Sequence, residues 1–464
     1  MTVENRSSPE LERKLGLFPL TNIVVANMIG AGIFTTSGLL MSDLGNPLLM
    51  LGLWVVGGII ALCGALAYGE LGAAIPHAGG EYAFLSKLYH PLLGFLSGWT
   101  SFIVGFSAPI AASAIGCSEY FMRAYPHVFI WGDPAILKKI LSICVILLFT
   151  GIHMRGIELG ARIQNVLTVL KVMLIACLIF GGLFLGSGNV RHFSEGSTFS
   201  FSFGGWKTLG LSLMWIMFAY SGWNASTYIG SEIRNPTKNL PRSLFLGTGV
   251  VMLLYICINI VFIYAVPPKE MKGVISIGGL AMGKLFGPSA ETIFSLLISF
   301  ALFSSLSAFI ILGPRVYYSM AKDQLFFKGL VHVHPRFKVP TRSIALQGAI
   351  SAVMVLSGTF DQILTVMGFA LGIFPLFAVA GVFRLKSSGT TSAMFSGYPW
   401  APVIYLATGV GILLLSFFQR PTESLIAILS VLMGVPVYIY FKRKYGHTNG
   451  SSNHMSIKRH VSHS

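Results

Sequence analysis

Apolar residues run along this chain in about twelve long stretches that short polar segments separate. Each stretch is close to the roughly 20 residues that an α-helix needs to cross a bilayer. The pattern predicts an all-α polytopic membrane protein with twelve transmembrane helices. The predicted spans are approximately 17–40, 47–75, 92–123, 138–153, 162–186, 205–230, 242–266, 288–320, 342–358, 361–384, 400–418 and 422–441.

Small residues interrupt two of these stretches. The first contains Gly30-Ala31-Gly32, and the sixth contains Ala219-Tyr220-Ser221-Gly222. A glycine inside a helix costs about 1 kcal/mol relative to alanine, and unwound backbone at membrane depth is tolerated only where it is buried in protein or lines a cavity. The breaks lie five spans apart, so matching segments would cross the bilayer in opposite directions. Paired broken helices indicate an inverted-repeat transporter, whereas the alternative is that glycine only permits close helix packing.

This interpretation divides the chain into predicted regions. A transporter domain covers residues 17–444, and polar tails precede and follow it. The C-terminal tail has the composition of a disordered segment. The expected regions are a tail at 1–16, a first repeat at about 17–186, a second repeat at about 205–384, extra helices at about 400–441 and a tail at 445–464.

The backbone at the two breaks could bind a zwitterion. Free N–H groups at the start of a half-helix attract an anion, and free carbonyls at the end of one attract a cation. An α-amino acid could place its carboxylate on N–H groups at 31–33 and its ammonium at carbonyls of both breaks. Phe218, a large aromatic directly before the second break, is the predicted gate, with simple packing as the alternative. The predicted substrate-binding residues are Ile29, Gly30, Ala31, Gly32, Ile33, Phe218, Ala219 and Ser221.

Lys171 lies in the middle of the fifth stretch. A lysine at a helix centre costs at least about 2.5 kcal/mol on insertion scales, and this one is too far from either end to snorkel. We therefore expect it to face the interior of the bundle. It would serve there as a built-in cation that replaces a bound metal ion and ties span one to span five, or as a proton-coupling group. A static ion pair is the third possible role, but no acidic residue lies near the middle of a predicted span to serve as its partner.

Composition and charge exclude other classes of protein. Charged residues make up 10% of the chain, against about 25% in soluble domains. The net charge of +16 reflects topology, because 22 of the 32 lysines and arginines fall on one predicted side. By the positive-inside rule both termini are cytoplasmic, and we expect a protein of the cell (plasma or inner) membrane that binds no nucleic acid. Walker A, metal-ligand and nucleophile-elbow motifs are absent from the sequence, so we expect no enzyme, cofactor or metal.

Four segments resemble motifs of the amino acid–polyamine–organocation superfamily, and the third resembles its L-type amino acid transporter branch. They are Gly30-Ala31-Gly32-Ile33-Phe34, Tyr68-Gly69-Glu70-Leu71-Gly72 with Gly79-Gly80-Glu81-Tyr82, Phe218-Ala219-Tyr220-Ser221-Gly222-Trp223-Asn224, and Glu232-Ile233-Arg234-Asn235-Pro236. The resemblance implies a fold like that of the bacterial leucine transporter, with a five-plus-five inverted repeat and two extra helices. It also implies that Phe218 is the gating aromatic and that Lys171 takes the place of a sodium ion.

Two departures from the family pattern matter. Animal heteromeric members carry a cysteine in the loop after span three that bonds to a glycoprotein partner. The corresponding residues, about 124–137, contain none, so we expect no disulfide-linked partner subunit. Ala31 stands where many relatives have serine, which removes one hydroxyl near the predicted carboxylate site.

The predicted function is sodium-independent secondary transport of α-amino acids by alternating access, through exchange or proton-coupled symport. No carboxylate is evident near either break to hold a cationic side chain, and no free arginine to hold an acidic one, which favours neutral amino acids. A transporter of cationic amino acids or polyamines is the first alternative. An amino acid sensor that does not transport and a channel are the alternatives from other classes.

Overall fold

The computed structural model describes residues 15–76, 79–126, 133–230, 233–337, 339–387, 389 and 397–445. The predicted tails at 1–16 and 445–464 lie outside these residues except for their ends at 15–16 and 445, and Glu232 lies outside them as well. The described chain is almost entirely helical. Its one β-bridge joins Leu15 to Ile233.

Eighteen α-helices follow one another along the described residues. Their bounds are α1 Leu17–Met28, α2 Ala31–Leu44, α3 Pro47–Ala74, α4 Glu81–Leu88, α5 Pro91–Thr100, α6 Ser107–Ala124, α7 Pro134–Met154, α8 Ile157–Phe180, α9 Phe203–Ala219, α10 Pro236–Ala265, α11 Pro268–Met271, α12 Ile277–Phe286, α13 Pro288–Lys322, α14 Thr341–Ser357, α15 Phe360–Ser387, α16 Trp400–Gln419, α17 Pro421–Leu432 and α18 Gly434–Tyr445. A π-helical turn at Ser101–Gly105 joins α5 to α6 in one continuous span.

These helices confirm the predicted polytopic fold. Within the described residues, nine helical segments are long and apolar enough to cross a membrane, and the bent pair α1–α2 makes a tenth. The two remaining predicted spans, six and nine, correspond to α9 and α14, each of 17 residues. That length is at the lower limit for crossing a bilayer.

The first break lies where the sequence placed it. Helix α1 ends at Met28 and α2 begins at Ala31, with a 41° bend between them. Ile29 and Gly30 have extended backbone angles, which stops the helical hydrogen-bond pattern. Gly32 allows α2 to pack closely on α9, since a Cβ at this position would overlap the backbone of Ala219.

The second break differs in detail from the expected pair of half-helices. Helix α9 ends at Ala219, and Gly222 turns the chain with a φ of 96°. A single 3₁₀ turn at Ala225–Tyr228 follows, in place of a second α-helix. Gly222 lies so close to Asn27 that a Cβ would come within 3.0 Å of its backbone. Glycine at this position therefore permits both the tight turn and the close approach to the end of α1.

The core of the bundle lies around these breaks. Helix α10 packs against α1 and α3, and α13 packs against α6. Three buried aromatic rings form a cluster behind the second break, with centroid separations of 5.5 Å for Trp54–Tyr255, 5.1 Å for Tyr220–Tyr255 and 5.9 Å for Trp54–Tyr220. Tyr220 of the second break thus packs against both α3 and α10.

Candidate functional site

The two breaks meet in the centre of the protein. Besides the close approach of Gly32 to Ala219, a side chain of α10 connects them. The Tyr255 hydroxyl lies 2.6 Å from the Met28 carbonyl oxygen and 3.0 Å from the Ala219 carbonyl oxygen. One buried hydroxyl therefore joins a freed carbonyl of the first break to one of the second.

Lys171 is fully buried and faces the first break from α8. Its Nζ donates hydrogen bonds to the carbonyl oxygens of Ala26, at 3.0 Å, and of Ile29, at 2.5 Å. The Ser305 hydroxyl also lies 3.5 Å from the Ile29 oxygen. The ammonium thus occupies the carboxyl-terminal end of α1, where the helix dipole is negative. The predicted contact between spans five and one is present.

Each carbonyl that was predicted to face a substrate ammonium already has a protein partner. Ile29 accepts from Lys171, and Ala219 shares the single Tyr255 hydroxyl proton with Met28. The Phe218 carbonyl accepts the backbone N–H of Ser221 at 2.9 Å. A carbonyl oxygen has two lone pairs, so the Phe218 and Ala219 oxygens retain capacity for a further donor, whereas the Ile29 oxygen already accepts from both Lys171 and Ser305.

The N–H groups that were predicted to face a carboxylate lie at the start of α2. Ala31, Gly32 and Ile33 form its first turn and are buried. N–H groups in the first turn have no acceptor within their own helix, and the preceding Gly30 supplies no side-chain cap. This turn therefore offers backbone donors of the kind that bind carboxylates.

A cavity of about 920 Å³ begins at the second break. Among the predicted site residues, Phe218 and Ser221 line it, whereas residues 29–33, Ala219 and Lys171 lie behind its wall. Beside Phe218 the wall is largely apolar, with Phe106, Met214 and Met217. Sequence reasoning missed these residues and Asn27, although Asn27 is a polar side chain three residues before Gly30.

The cavity extends to the face of the protein at which α1 begins. Leu15, Tyr82 and Asp323 line it there. We call this side the N-terminal face. Tyr82 donates a hydrogen bond to Asp323 at 2.8 Å, which joins the start of α4 to the end of α13 at this mouth.

Hydrogen bonds hold the opposite face together. The Tyr120 hydroxyl donates to the Phe34 carbonyl at 2.5 Å and accepts the Gly278 N–H at 3.0 Å. Arg123 pairs with Glu291 at 2.7 Å. None of these side chains lines the cavity.

A carboxylate lies close to the second break, which corrects the expectation that none does. Glu81 Oε1 accepts hydrogen bonds from the Asn224 amide and from the Tyr68 hydroxyl, both at 2.9 Å. Burial raises the pKa of Glu81 to about 7. The sequence did not reveal this proximity, since the loop before α4 and the segment after α9 meet only in the folded chain.

The described residues contain no group of three histidine, cysteine, aspartate or glutamate side chains that could hold a metal ion. The site consists of backbone groups, the Lys171 ammonium, the nearby Glu81 carboxylate and a mostly apolar cavity. This composition suits a small zwitterion that is bound and released without chemical change.

Comparison with known proteins assigns the chain. The model of the family described as amino acid permease matches residues 15–440. The chain belongs to the amino acid permease family. The superfamily predicted from the motifs is thereby confirmed, and so is the prediction of an integral membrane transporter of amino acids rather than an enzyme.

The permease is similar over almost its whole length to characterised transporters. It is 30% identical over 443 residues to the serine/threonine exchanger SteT of Bacillus subtilis, covering 94% of this chain and 98% of that protein. It is 27% identical to the b(0,+)-type amino acid transporter 1 of Mus musculus, with coverages of 93% and 88%. It is also 27% identical to the large neutral amino acids transporter small subunit 2 of Mus musculus, with coverages of 94% and 82%.

Proposed function

We propose that this permease carries neutral α-amino acids by alternating access without sodium. The observation that carries the proposal is the Lys171 ammonium at the carbonyl end of α1. A broken helix in a membrane needs positive charge at its freed carbonyls, and coupling ions supply it in many transporters of this architecture. Here a covalently attached ammonium supplies that charge, so a sodium ion is not required.

The substrate would bind between the breaks and the cavity. Its carboxylate would face the first-turn N–H groups of α2 at 31–33, and its ammonium the remaining lone pairs of the Phe218 and Ala219 carbonyls. Its side chain would extend into the apolar part of the cavity beside Met214 and Phe106. Phe218 would cover it as the gate. This arrangement uses five of the eight predicted binding residues directly, and Ile29, Gly30 and Ser221 stay in the proposal as the adjoining backbone of the two breaks.

A cationic substrate is the second candidate, and the cavity wall favours it. Glu81 and Asp323 both line the cavity, and no lysine, arginine or histidine is among its described lining residues. A wall of one sign of charge raises the local concentration of ions of the other sign. The relative named as a serine/threonine exchanger supports the neutral class instead.

The same proposal covers topology and mode of transport. We place both termini in the cytoplasm of a cell-membrane protein, since the basic residues are concentrated on that side. The cavity would then open inward, and the hydrogen-bonded opposite face would be the closed outer gate. The inverted repeats would comprise about 17–186 and 205–384, with extra helices at about 400–441. Exchange is the favoured mode, and no disulfide-linked partner is expected because residues 124–137 contain no cysteine.

The proposal can be tested by reconstitution into proteoliposomes. Uptake of labelled L-serine, L-leucine, L-lysine and L-glutamate would be measured with and without internal unlabelled amino acid, in sodium and in choline medium. We expect serine or leucine uptake that internal substrate accelerates and that choline does not reduce. Uptake of lysine alone would support the cationic alternative. A requirement for a sodium gradient would refute the role of Lys171, and no uptake of any amino acid under any condition would refute the transport site.

A further inference from the structure

Side chains from three distant motifs meet on one wall of the cavity. Tyr68 belongs to α3, Glu81 begins α4, and Asn224 follows the break after α9. The Tyr68 hydroxyl and the Asn224 amide both donate to Glu81 Oε1 at 2.9 Å. Ser97 of α5 adds a further side-chain hydrogen bond. Glu81, the first residue of α4, therefore connects α3 and α5 to the unwound segment that follows α9.

The segment that Glu81 holds is the turn that carries Ser221. Gly222 accepts the Ala225 N–H at 3.0 Å, and Asn224 accepts the Thr227 N–H at 2.9 Å. These short-range bonds define the shape of the turn but do not fix it to the rest of the bundle. The Asn224 side chain bonds the turn to Glu81 and also to Tyr228. Trp223 packs on Tyr68, and Ser226 in the following 3₁₀ turn donates to the Leu20 carbonyl at 3.2 Å.

The charges around Glu81 determine what its protonation can do. Among the described residues, its ionisable neighbours are tyrosines. The cations on packed elements are engaged elsewhere: Arg384 of α15 donates to the Leu88 carbonyl, and Lys386 pairs with Glu70. The groups that face Glu81 are Tyr68 on α3, Ser97 on α5, Asn224 and Tyr228 after α9, and Tyr405 on α16, while Tyr82 next to it on α4 bonds to Asp323.

We propose that Glu81 is a positioning residue of the transport site, which acts through Asn224 to hold the Ser221–Asn224 turn and does so more firmly as a carboxylate than as a neutral acid. The inference rests on the proposed function. Hydrogen bonds to an ionised acceptor are about twice as strong as neutral ones. Loss of the negative charge therefore loosens the turn, although the bonds themselves can persist.

Glu81 changes its protonation state within the pH range of a transport assay. Because burial raises its pKa to about 7, roughly nine-tenths of the side chains are protonated at pH 6 and roughly one-tenth at pH 8. The site is thus better ordered at pH 8. We expect the KM for substrate to rise as pH falls through 7, with a smaller change in the maximal rate.

The test is amino acid exchange in proteoliposomes at equal internal and external pH, with L-serine as the probe, between pH 5.5 and 8.5. For the wild type we expect KM to rise roughly three- to tenfold on acidification, the range for weakening the one charge-assisted hydrogen bond, from Asn224, that holds the turn. The E81Q variant, an isosteric neutral side chain, should hold the acid-side KM at every pH. E195Q, which changes an exposed acid in the loop before α9, should keep the wild-type profile.

The Tyr68→Phe variant provides a second, independent test of the role of Glu81 if the E81Q protein does not accumulate. Removal of the Tyr68 donor destabilises the carboxylate, so the midpoint of the KM profile should move to higher pH. A wild-type pH profile in E81Q, or an unmoved midpoint in Tyr68→Phe, would overturn the inference while leaving transport itself established. Absence of exchange of serine, leucine, lysine and glutamate by the wild type at every pH would instead refute the proposed function, and this inference with it.

Discussion

Replacement of Lys171 by methionine removes the buried ammonium while keeping a side chain of similar length. The variant loses two hydrogen bonds, to Ala26 and Ile29, of 3.0 and 2.5 Å. A hydrogen bond from a charged group is worth about 1.5–3 kcal/mol. The lysine also incurs a desolvation cost that methionine does not. We therefore take the lower end of this range for each of the two bonds and expect a net loss of about 3 kcal/mol of stabilisation.

We expect the loss of these two hydrogen bonds to reduce transport. The two bonds fix the end of α1 against α8, and the same carbonyl end belongs to the proposed substrate site. If the full loss falls on the binding-competent conformation, about 3 kcal/mol corresponds to roughly a 100-fold fall in the ratio of maximal rate to KM. The assay is initial uptake of labelled amino acid by proteoliposomes, in sodium and in choline medium, normalised to reconstituted protein.

A matched control separates this role from general effects of removing a lysine. Lys139 is exposed on α7, and its Nζ lies 3.1 Å from the Leu356 carbonyl. Lys139→Met should transport like the wild type, because exposed bonds contribute little. Wild-type kinetics in Lys171→Met, with normal insertion, would refute the reasoning. A wild type that works only in sodium would refute the replacement of sodium by Lys171.

Three further predictions follow from contacts at the breaks. Gly32→Ala should abolish uptake, because its Cβ would overlap Ala219, while Gly52→Ala, whose Cβ meets nothing within 4 Å, should not; equal uptake at equal expression would contradict this. Tyr255→Phe should lower the free energy of unfolding by about 1–3 kcal/mol and should reduce uptake. Tyr264→Phe, whose hydroxyl lies 3.4 Å from the Gly186 oxygen, should leave the melting temperature in a thermal-shift assay almost unchanged. Phe218→Ala should accelerate efflux without counter-substrate by opening the cavity wall, and Phe180→Ala, at a 64% exposed site, should not; tightly coupled exchange in Phe218→Ala would count against the gate.

The positions of the helices and of the first break were predictable because their causes are local. About 20 consecutive apolar residues suffice to define a span, and the energetic cost of a buried lysine can be judged from its own stretch. The inward orientation of Lys171 followed from that cost. The second break was also predictable as an end of helix α9, since glycine and short polar residues interrupt the pattern there.

The details of the site required contacts between distant segments. Lys171 meets Ile29 across 142 positions of the chain, and Asn224 meets Glu81 across 143. Nothing in the local sequence of Glu81 shows that it would lie beside the second break, so the expectation of no nearby carboxylate was wrong. The short 3₁₀ turn after Gly222 also meets α1, where the Ser226 hydroxyl donates to the Leu20 carbonyl at 3.2 Å.

The sequence by itself thus determined the membrane fold, the two interruptions and the presence of one interior cation, because hydropathy and helix propensity act over a few turns. The tertiary structure alone decided which carbonyls Lys171 and Tyr255 occupy, which predicted residues line the cavity and which face it reaches. These features depend on side-chain packing between helices, where displacement by one residue changes the hydrogen-bond partner. For the same reason Glu81 became a candidate part of the site only when α4 was placed against the turn after α9.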